Sequence, residues 1–336
     1  MRGSLSTVDA LLTPILATLR AIDATPVPIR EANGMWLAGD LTAPDAVPPH
    51  AIALRPGFAL TSLDIAGASM HAPALLMSAP QQVAAGEQLP KTCDTVIDFD
   101  AVSRTGAVWE IAESIEPGLH VRLAGHDLAG GAIIASGGSR VTPEIALAAE
   151  LAGVHSLAVR RPVITLEGFA EPETAWLMTR LKALGIPRSA DAVPQVIVRA
   201  VAEARPRLAL RPGETAWITQ EGEAIIIETP NRFDGVVGAW CALVLPVIAK
   251  LLDQPLGGLS GELTGKVASA IGLAEVALFR RHLGLAAPLA VGDLPLSAIA
   301  AADCYCMVPP DLEGHPQGAA VSLISFDQPF ATNRRS

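Results

Sequence analysis

The chain has few aromatic residues: they make up 4% of its 336 residues, and tyrosine occurs once. A core built from it must rest on Ala, Leu, Val and Ile. Cysteine is also scarce. The four thiols, Cys93, Cys241, Cys304 and Cys306, fit no paired Cys-x-x-Cys spacing, which argues against a structural zinc site. Long basic runs are missing and the net charge is −10, so electrostatic capture of nucleic acid or an anionic membrane is excluded as a main activity. The longest apolar run, residues 236–249, is interrupted by Pro246 and is short of the ~20 residues a membrane helix needs. Catalytic signatures are absent as well. No Gly-x-Gly-x-x-Gly, phosphate-loop, Gly-x-Ser-x-Gly or His-Glu-x-x-His pattern occurs, and the glycines of "GGAIIASGGS" fall at strand ends.

Half of the residues are hydrophobic, and 29 Gly and 27 Pro divide them into many short segments. Composition and length together imply two or more compact, loop-rich domains. The opening stretch could pass for a signal peptide, but Asp9 and Pro14 interrupt it. An amphipathic helix over residues 5–22, capped by Ser6 or Thr7, fits better. These features predict a cytoplasmic protein.

Along the chain, a short helical signal covers residues 30–37 and a Pro-rich exit follows. From residue 52 to about 123 short strands alternate with turns. In "DTVIDFDAV" Thr95, Ile97 and Phe99 are expected on one face, with Val96, Asp98 and Asp100 on the other. "AVWEIAESI" is another strand. Glycines 130, 131, 137 and 138 punctuate two short strands, and Thr142-Pro143-Glu144 opens a helix that ends at Gly153. An α/β pattern follows: strand "PVITLEG", helix "PETAWLMTRLKALG", a second helix "VPQVIVRAVAEA", buried strand "AIIIET", and an apolar helix broken near Pro246. "PLGGLSGELTGK" reads as a Gly-rich linker before a small β domain. There, Cys304 and Cys306 are expected on the same face of a strand. The pentapeptide Ala-Leu-Arg-Pro-Gly occurs at residues 53–57 and again at 209–213, but its flanks differ and nothing else repeats at that offset.

In register and in order, six stretches resemble the molybdopterin molybdenumtransferase family, which includes the gephyrin E domain. "VDALLTPILATL" and "IREANGMWLAGDLTAPDAVPP" are similar to its first helix and its Gly-x-x-Leu-Ala segment. "AGEQLPKTCDTVIDFD" resembles its Thr-Gly-Ala-x-x-Pro stretch, and "HVRLAGHDLAGGAIIASGGSRVTPEIALAAELAG" its Asn-Ile-Arg-x-x-Gly-Glu-Asp-Ile region. "LALRPGETAWI" with "IIIETPNRFDGVVGAW" is similar to the Lys-Pro-Gly strand and the Leu-Pro-Gly-Asn-Pro helix start. "KVASAIGLAEVALFR" and "LSAIAAADCYCMVPP" resemble the C-terminal β domain.

The resemblance implies an α/β and β multi-domain fold in an elongated protomer. Domain I would take residues 1–35 with 123–158, and a β-rich inserted domain II residues 36–122. A reduced three-layer α/β, molybdopterin-binding-type domain III would span 159–256, and a small C-terminal β domain IV 257–330. It also implies a homodimer in which a neighbour's second domain closes the cleft. The implied reaction inserts molybdate into adenylylated molybdopterin and releases AMP. By residue, it gives Asp127 a catalytic contact and makes Arg211, Gly213 and Asn231 contacts to molybdopterin or its adenylylated form. Arg211 replaces the family Lys and remains able to grip an anion.

Departures from the family point toward weak or absent molybdate insertion. Arg55 and Pro56 stand where the family has Met and its catalytic Asp, while Gly57 and Ala59 are kept and Phe58 replaces Tyr. Proline carries no charge and no backbone donor. Ala85 replaces a Thr, and His126 replaces the Glu before Asp127. Asp94 and Asp100 match acidic positions but are expected to be structural, in a turn and on a strand face. "ITLEGFAEPETAW" lacks the Thr and Asp of Ser-Thr-Gly-Asp-Glu, and the interval 185–206 is too short for the Ser-Gly-Gly-Val-Ser phosphate loop. Pro230 takes a Gly position and Asp234 a Ser position, where an acid repels phosphate. On these grounds a magnesium ion held as in the family is not expected. A non-catalytic carrier of the cofactor, or a scaffold partner for a full-length relative or a molybdoenzyme, is the alternative.

Overall fold

The computed structural model describes residues 5–186, 192–202 and 206–331. The chain forms two compact units. One comprises Met1–Gly39, Ser136–Pro143 and Ser156–Ser336; the other comprises Asp40–Ala135 and Glu144–His155.

In the larger unit, a four-stranded sheet has the order Ile164–Glu167, Val196–Val201, Ala224–Pro230, Trp217–Glu221. The first three strands are parallel and the last is antiparallel. The face of a parallel sheet that meets the core must be apolar and favours β-branched residues. Val196, Val198, Ile225 and Ile227 meet that demand and are fully buried. This corrects the expected helix over residues 193–204, whose described core is the strand Val196–Val201. Its Val-Ile-Val run satisfies either period, and β-branching decides for the strand.

Helix Glu171–Ala183 links the first two parallel strands, and Gly185 at φ +74° ends the segment as expected. After the third strand comes a helix of 20 residues, Phe233–Leu252, with a mean hydropathy of 2.1. It is long and apolar enough to cross a membrane, which the Pro-interrupted run at residues 236–249 had not suggested, yet 89% of its apolar window is buried inside the protein. The expected break near Pro246 takes the form of a π-turn over Trp240–Val244, where Leu245 N–H reaches back to the Trp240 carbonyl. Pro246 has no N–H for the α-helical ladder, and the wider turn accommodates its ring.

The last segment forms a six-stranded sheet in which Ala274–His282 pairs with both Leu285–Val291 and Cys304–Val308. That double pairing closes five strands into a small barrel. Inside it lie Phe279, Leu323, Cys304 and Cys306, while Tyr305 and Leu278 face the main core. The same-face expectation for the two cysteines thus holds. The glycine-rich stretch does not behave as a linker: it contains the barrel strand Leu259–Leu263. A Cβ on Gly261 would come within 2.8 Å of Leu323 and 3.0 Å of Ala286. The segments expected as domains III and IV share one core within this unit.

The N-terminal helix is shorter than expected, Val8–Thr18, and Thr7 caps it by accepting the Ala10 N–H at 3.2 Å. The helical signal at residues 30–37 resolves into a single 3-10 turn, Ile29–Glu31, and a strand, Trp36–Leu37.

The smaller unit is β-rich. Gly57–Leu60 lies between Gln81–Val83 and Thr95–Ile97, and Val108–Ile111 lies between Ala74–Leu76 and Val102–Thr105. Phe58, Leu60, Ile65, Ile97 and Ile111 fill its main core. Gly57 is needed because a Cβ there would collide with the Ile97 carbonyl. The expected facing holds for Val96 on one side and Ile97 and Phe99 on the other, at separate cores, and the strand itself stops at Ile97. Thr95, Val96 and Ile97 are all buried, and Asp100 belongs to a 3-10 turn, Phe99–Ala101, rather than a strand face. Of two strands expected among the glycines of residues 130–138, one forms, Ile133–Ala135. Helix Pro143–Leu151 follows, with Gly153 beyond it at φ +84°.

Candidate functional site

In parallel α/β sheets, ligands gather beyond the carboxyl ends of the strands, where helices begin. Here that edge carries Glu167, Pro230 and the starts of helices Glu171–Ala183 and Phe233–Leu252. Asn231 follows the third strand and is exposed. The Arg211-Pro212-Gly213 loop packs against the second of these helices. A Cβ on Gly238 would collide with the Pro212 carbonyl, so glycine at that helix position admits the loop. Gly213 itself sits at φ +128°, and a Cβ there would approach Leu210 Cδ2 to 2.7 Å. The fold therefore brings Arg211, Gly213 and Asn231 to the same helix, through its flank and its start.

Arg211 has a structural partner. Its Nη1 donates to Glu275 Oε1 at 3.0 Å, and the Glu275 side chain is only 4% exposed. Ser269 Oγ at 2.7 Å and Ala270 N–H at 3.0 Å satisfy the other oxygen of Glu275. Asn231 is followed by an acid at the helix start: Asp234 Oδ1 accepts from Gly235 N–H at 2.8 Å and from Arg232 Nε at 2.6 Å. The ion pair holds the Arg232 guanidinium above its usual range, with the Asp234 hydrogen bond as the leading cause. One backbone donor that would greet an anion at this terminus, the Gly235 N–H, is thus met by a carboxylate.

Asp127 lies in the smaller unit. Both of its oxygens accept from Arg122 Nη1, at 3.0 and 3.1 Å, and both side chains are 41% exposed. The first Ala-Leu-Arg-Pro-Gly copy lies in this unit too. Arg55 Nη1 donates to His120 Nε2 at 2.9 Å and approaches Asp98 Oδ2 to 3.4 Å. Its neighbour Pro56 offers neither charge nor donor. Asp94 accepts from Ser62 N–H at 2.6 Å and from its hydroxyl at 2.7 Å, which is the structural turn role expected of it.

One pattern recurs that sequence reading missed. Glu167 is paired with Arg199, Glu228 with Arg207, Asp234 with Arg232, Asp127 with Arg122 and Asp98 with Arg55. Strand register brings Glu167 to Arg199 and the fold brings Arg55 to Asp98 across 43 positions, whereas the Arg232–Asp234 and Arg122–Asp127 pairs are local. A divalent cation needs several carboxylate or carbonyl oxygens aimed at one point. Among the described residues no group of three His, Cys, Asp or Glu converges, and these donors do not fit a magnesium site. The expected lack of a phosphate loop concerns residues 185–206. Of these, 187–191 and 203–205 lie outside the described residues, and the strand Val196–Val201 occupies much of the rest.

Two units, one β-rich and inserted and the other combining a parallel α/β sheet with a small barrel, define a MoeA-type multi-domain fold. Comparison with known proteins agrees. Over 96% of this chain, the fold matches 99% of a molybdopterin biosynthesis MoeA protein from Pyrococcus horikoshii, with a TM-score of 0.74 at 20% identity. A molybdenum cofactor biosynthesis protein from Pyrococcus furiosus matches with a TM-score of 0.59 at 16% identity, over 95% of this chain and 98% of that one. Residues 6–152 match the MoeA N-terminal region (domain I and II). Molybdopterin molybdenumtransferase 2 of Mycobacterium tuberculosis is 25% identical over 158 residues, 42% of this chain and 39% of that protein. The molybdopterin molybdenumtransferase of Synechococcus elongatus is 28% identical over 171 residues, 45% of this chain and 42% of that protein. The chain thus spans about two fifths of the length of the curated relatives it matches. The chain has the MoeA fold, and its sequence similarity to these proteins lies in the N-terminal region.

Proposed function

We propose that this chain acts in molybdenum cofactor biosynthesis, with molybdopterin or its adenylylated form as its ligand and with weak or no capacity to insert molybdate. The observation that carries this reading is the pairing of carboxylates with arginines. Glu167, Glu228 and Asp234 near the sheet edge, and Asp127 in the other unit, are each paired with a guanidinium instead of converging on a cation. Removing one transition-state-stabilising group typically costs ~10²–10³ in rate. Losing the family's acid at Pro56, its hydroxyl at Ala85 and an open helix start at Asp234 compounds that cost.

In this reading Asp127 is the inherited contact to the reacting group, and Arg211, Gly213 and Asn231 line the cofactor side. Arg211 serves chiefly as the counter-ion of buried Glu275. The protein is a cytoplasmic homodimer. The arginine pairing equally favours a second reading, in which the chain carries the cofactor or partners a full-length relative or a molybdoenzyme without turnover. Native mass spectrometry of the purified protein tests the ligand: a bound mass matching a molybdopterin species supports the reading. A ligand of unrelated chemistry, or an empty protein after incubation with molybdopterin, contradicts it.

A further inference from the structure

In the larger unit, a depression of about 410 Å³ lies between the barrel hairpin, at Arg281, and the segment that follows strand Ala320–Ser325. Two glycines open it. A Cβ on Gly257 would sit 2.6 Å from Ala331 N, and one on Gly258 would collide with Ser322 Oγ. Leu259 and Phe330 are its large apolar lining, and Arg281, Ser325 and Gln328 supply its polar side chains. It is remote from the edge that carries Asn231. Phe330 bridges to Leu256, just past the end of helix Phe233–Leu252, and the 20 residues of that helix span about 30 Å from the Asn231 end.

The hydrogen-bonding capacity of this depression is one-sided. Arg281 is exposed, and among the described residues its guanidinium has neither an ion pair nor a hydrogen bond. Two acids close to it in the fold are turned elsewhere. Asp303 gives both oxygens to the Arg281 backbone N–H, at 3.0 and 3.1 Å. Asp327 lines a different depression and pairs with Arg180 at 3.2 Å. Ser325 Oγ already accepts from the Asp327 and Gln328 N–H groups, each at 3.2 Å, so its spare capacity is to donate its proton. The side-chain amide of Gln328 makes no hydrogen bond among the described residues. None of the described residues that line the depression carries a carboxylate. A guanidinium, a hydroxyl proton and an amide NH₂ together suit an acceptor-only group, and a guanidinium grips a carboxylate or a phosphoryl group bidentately. Phe330 and Leu259 favour an anion carried on an apolar body over a bare inorganic ion.

We propose that this depression is a further ligand site, which binds a small organic oxyanion on an apolar body through Arg281, with Gln328 and the Ser325 hydroxyl as additional donors. The proposal stands independently of the cofactor reading above. Its neighbour Arg280 supplies an internal control. Successive side chains of a strand point to opposite faces, so Arg280 carries the same charge on the other face of the hairpin.

Titration calorimetry on the full chain at low salt, with phenyl phosphate, benzoate and neutral benzyl alcohol, tests the proposal. At least one of the two anions should bind saturably, with a Kd at least about tenfold below that of benzyl alcohol. Tighter phenyl phosphate identifies a phosphoryl site, and tighter benzoate a carboxylate site. Arg281→Ala should weaken the anion by about tenfold or more, and Gln328→Leu by about threefold. Arg280→Ala should leave the Kd within about twofold, because diffuse attraction at the surface is a small effect. Melting temperatures confirm that each variant is folded. Binding of neither anion overturns the proposal, as does benzyl alcohol binding as tightly as the anions. Equal losses in Arg280→Ala and Arg281→Ala overturn it too, since they would mark general attraction to a basic hairpin rather than a built site.

Discussion

Replacing Arg211 with alanine separates two roles for this side chain, as counter-ion and as ligand grip. In the folded protein its guanidinium sits 3.0 Å from Glu275, whose side chain is 4% exposed. Without it, Glu275 keeps the Ser269 hydroxyl and the Ala270 N–H but loses its opposing charge. Removing one partner of a fully buried pair costs about 3–5 kcal/mol. Arg211 is 43% exposed, so water replaces part of what is lost, and about 2 kcal/mol is the expected cost. For a unit of this size each kcal/mol moves Tm by about 2–4 °C, so scanning calorimetry at neutral pH should show a drop of about 4–8 °C. Arg211→Lys should fall between, because it keeps the charge and loses the planar fork. A Tm for Arg211→Ala within about 1 °C of the parent would refute the counter-ion argument. If ligand binding were lost at the same time, the residue would be a grip after all.

Other perturbations follow from the same packing. Gly238→Ala drives a Cβ into the Pro212 carbonyl and should destabilise by about 1–3 kcal/mol, read as a lower denaturant midpoint. Thr7→Ala removes the cap on Ala10 and should cost ~1 kcal/mol in the same assay. Burial pushes the Cys304 and Cys306 thiols up to about 12 from an ordinary 9.0, and raises Cys241 further. Above about pH 9 the unfolded chain therefore sheds protons that the folded chain keeps, and stability should decline with rising pH toward about 12. A melting series from neutral to alkaline pH checks the decline. In the native protein, half-buried Cys93 should be alkylated before the three buried thiols, as mass spectrometry of the labelled chain would show.

Much of the architecture was legible in the sequence. Caps, glycine stops and the Pro246 interruption are local signals, and Thr7, Gly153, Gly185 and the π-turn at Trp240–Val244 realise them. The run at residues 196–201 was misread because Val-Ile-Val carries no polar alternation, although Val196 and Val198 are buried and Ile197 is half-buried, and which face meets the core is a tertiary fact. The barrel strand Leu259–Leu263 was hidden for a related reason. Its glycine answers to Leu323 and Ala286, which approach only once the barrel closes. Among the candidate residues, Pro56 in one unit and Asp234 in the other could be read from residue type. These arginine partners could not: Arg211 meets Glu275 through strand register, and Arg55 meets Asp98 only through the fold, 43 positions apart.

The account turns on whether chemistry survives when Glu167, Glu228, Asp234 and Asp127 are each held by an arginine. Incubating the purified protein with adenylylated molybdopterin and molybdate, and following AMP over many turnovers, measures this directly. The account predicts retention of ligand with little or no AMP released. Sustained release at a rate typical of an active molybdenumtransferase would contradict it.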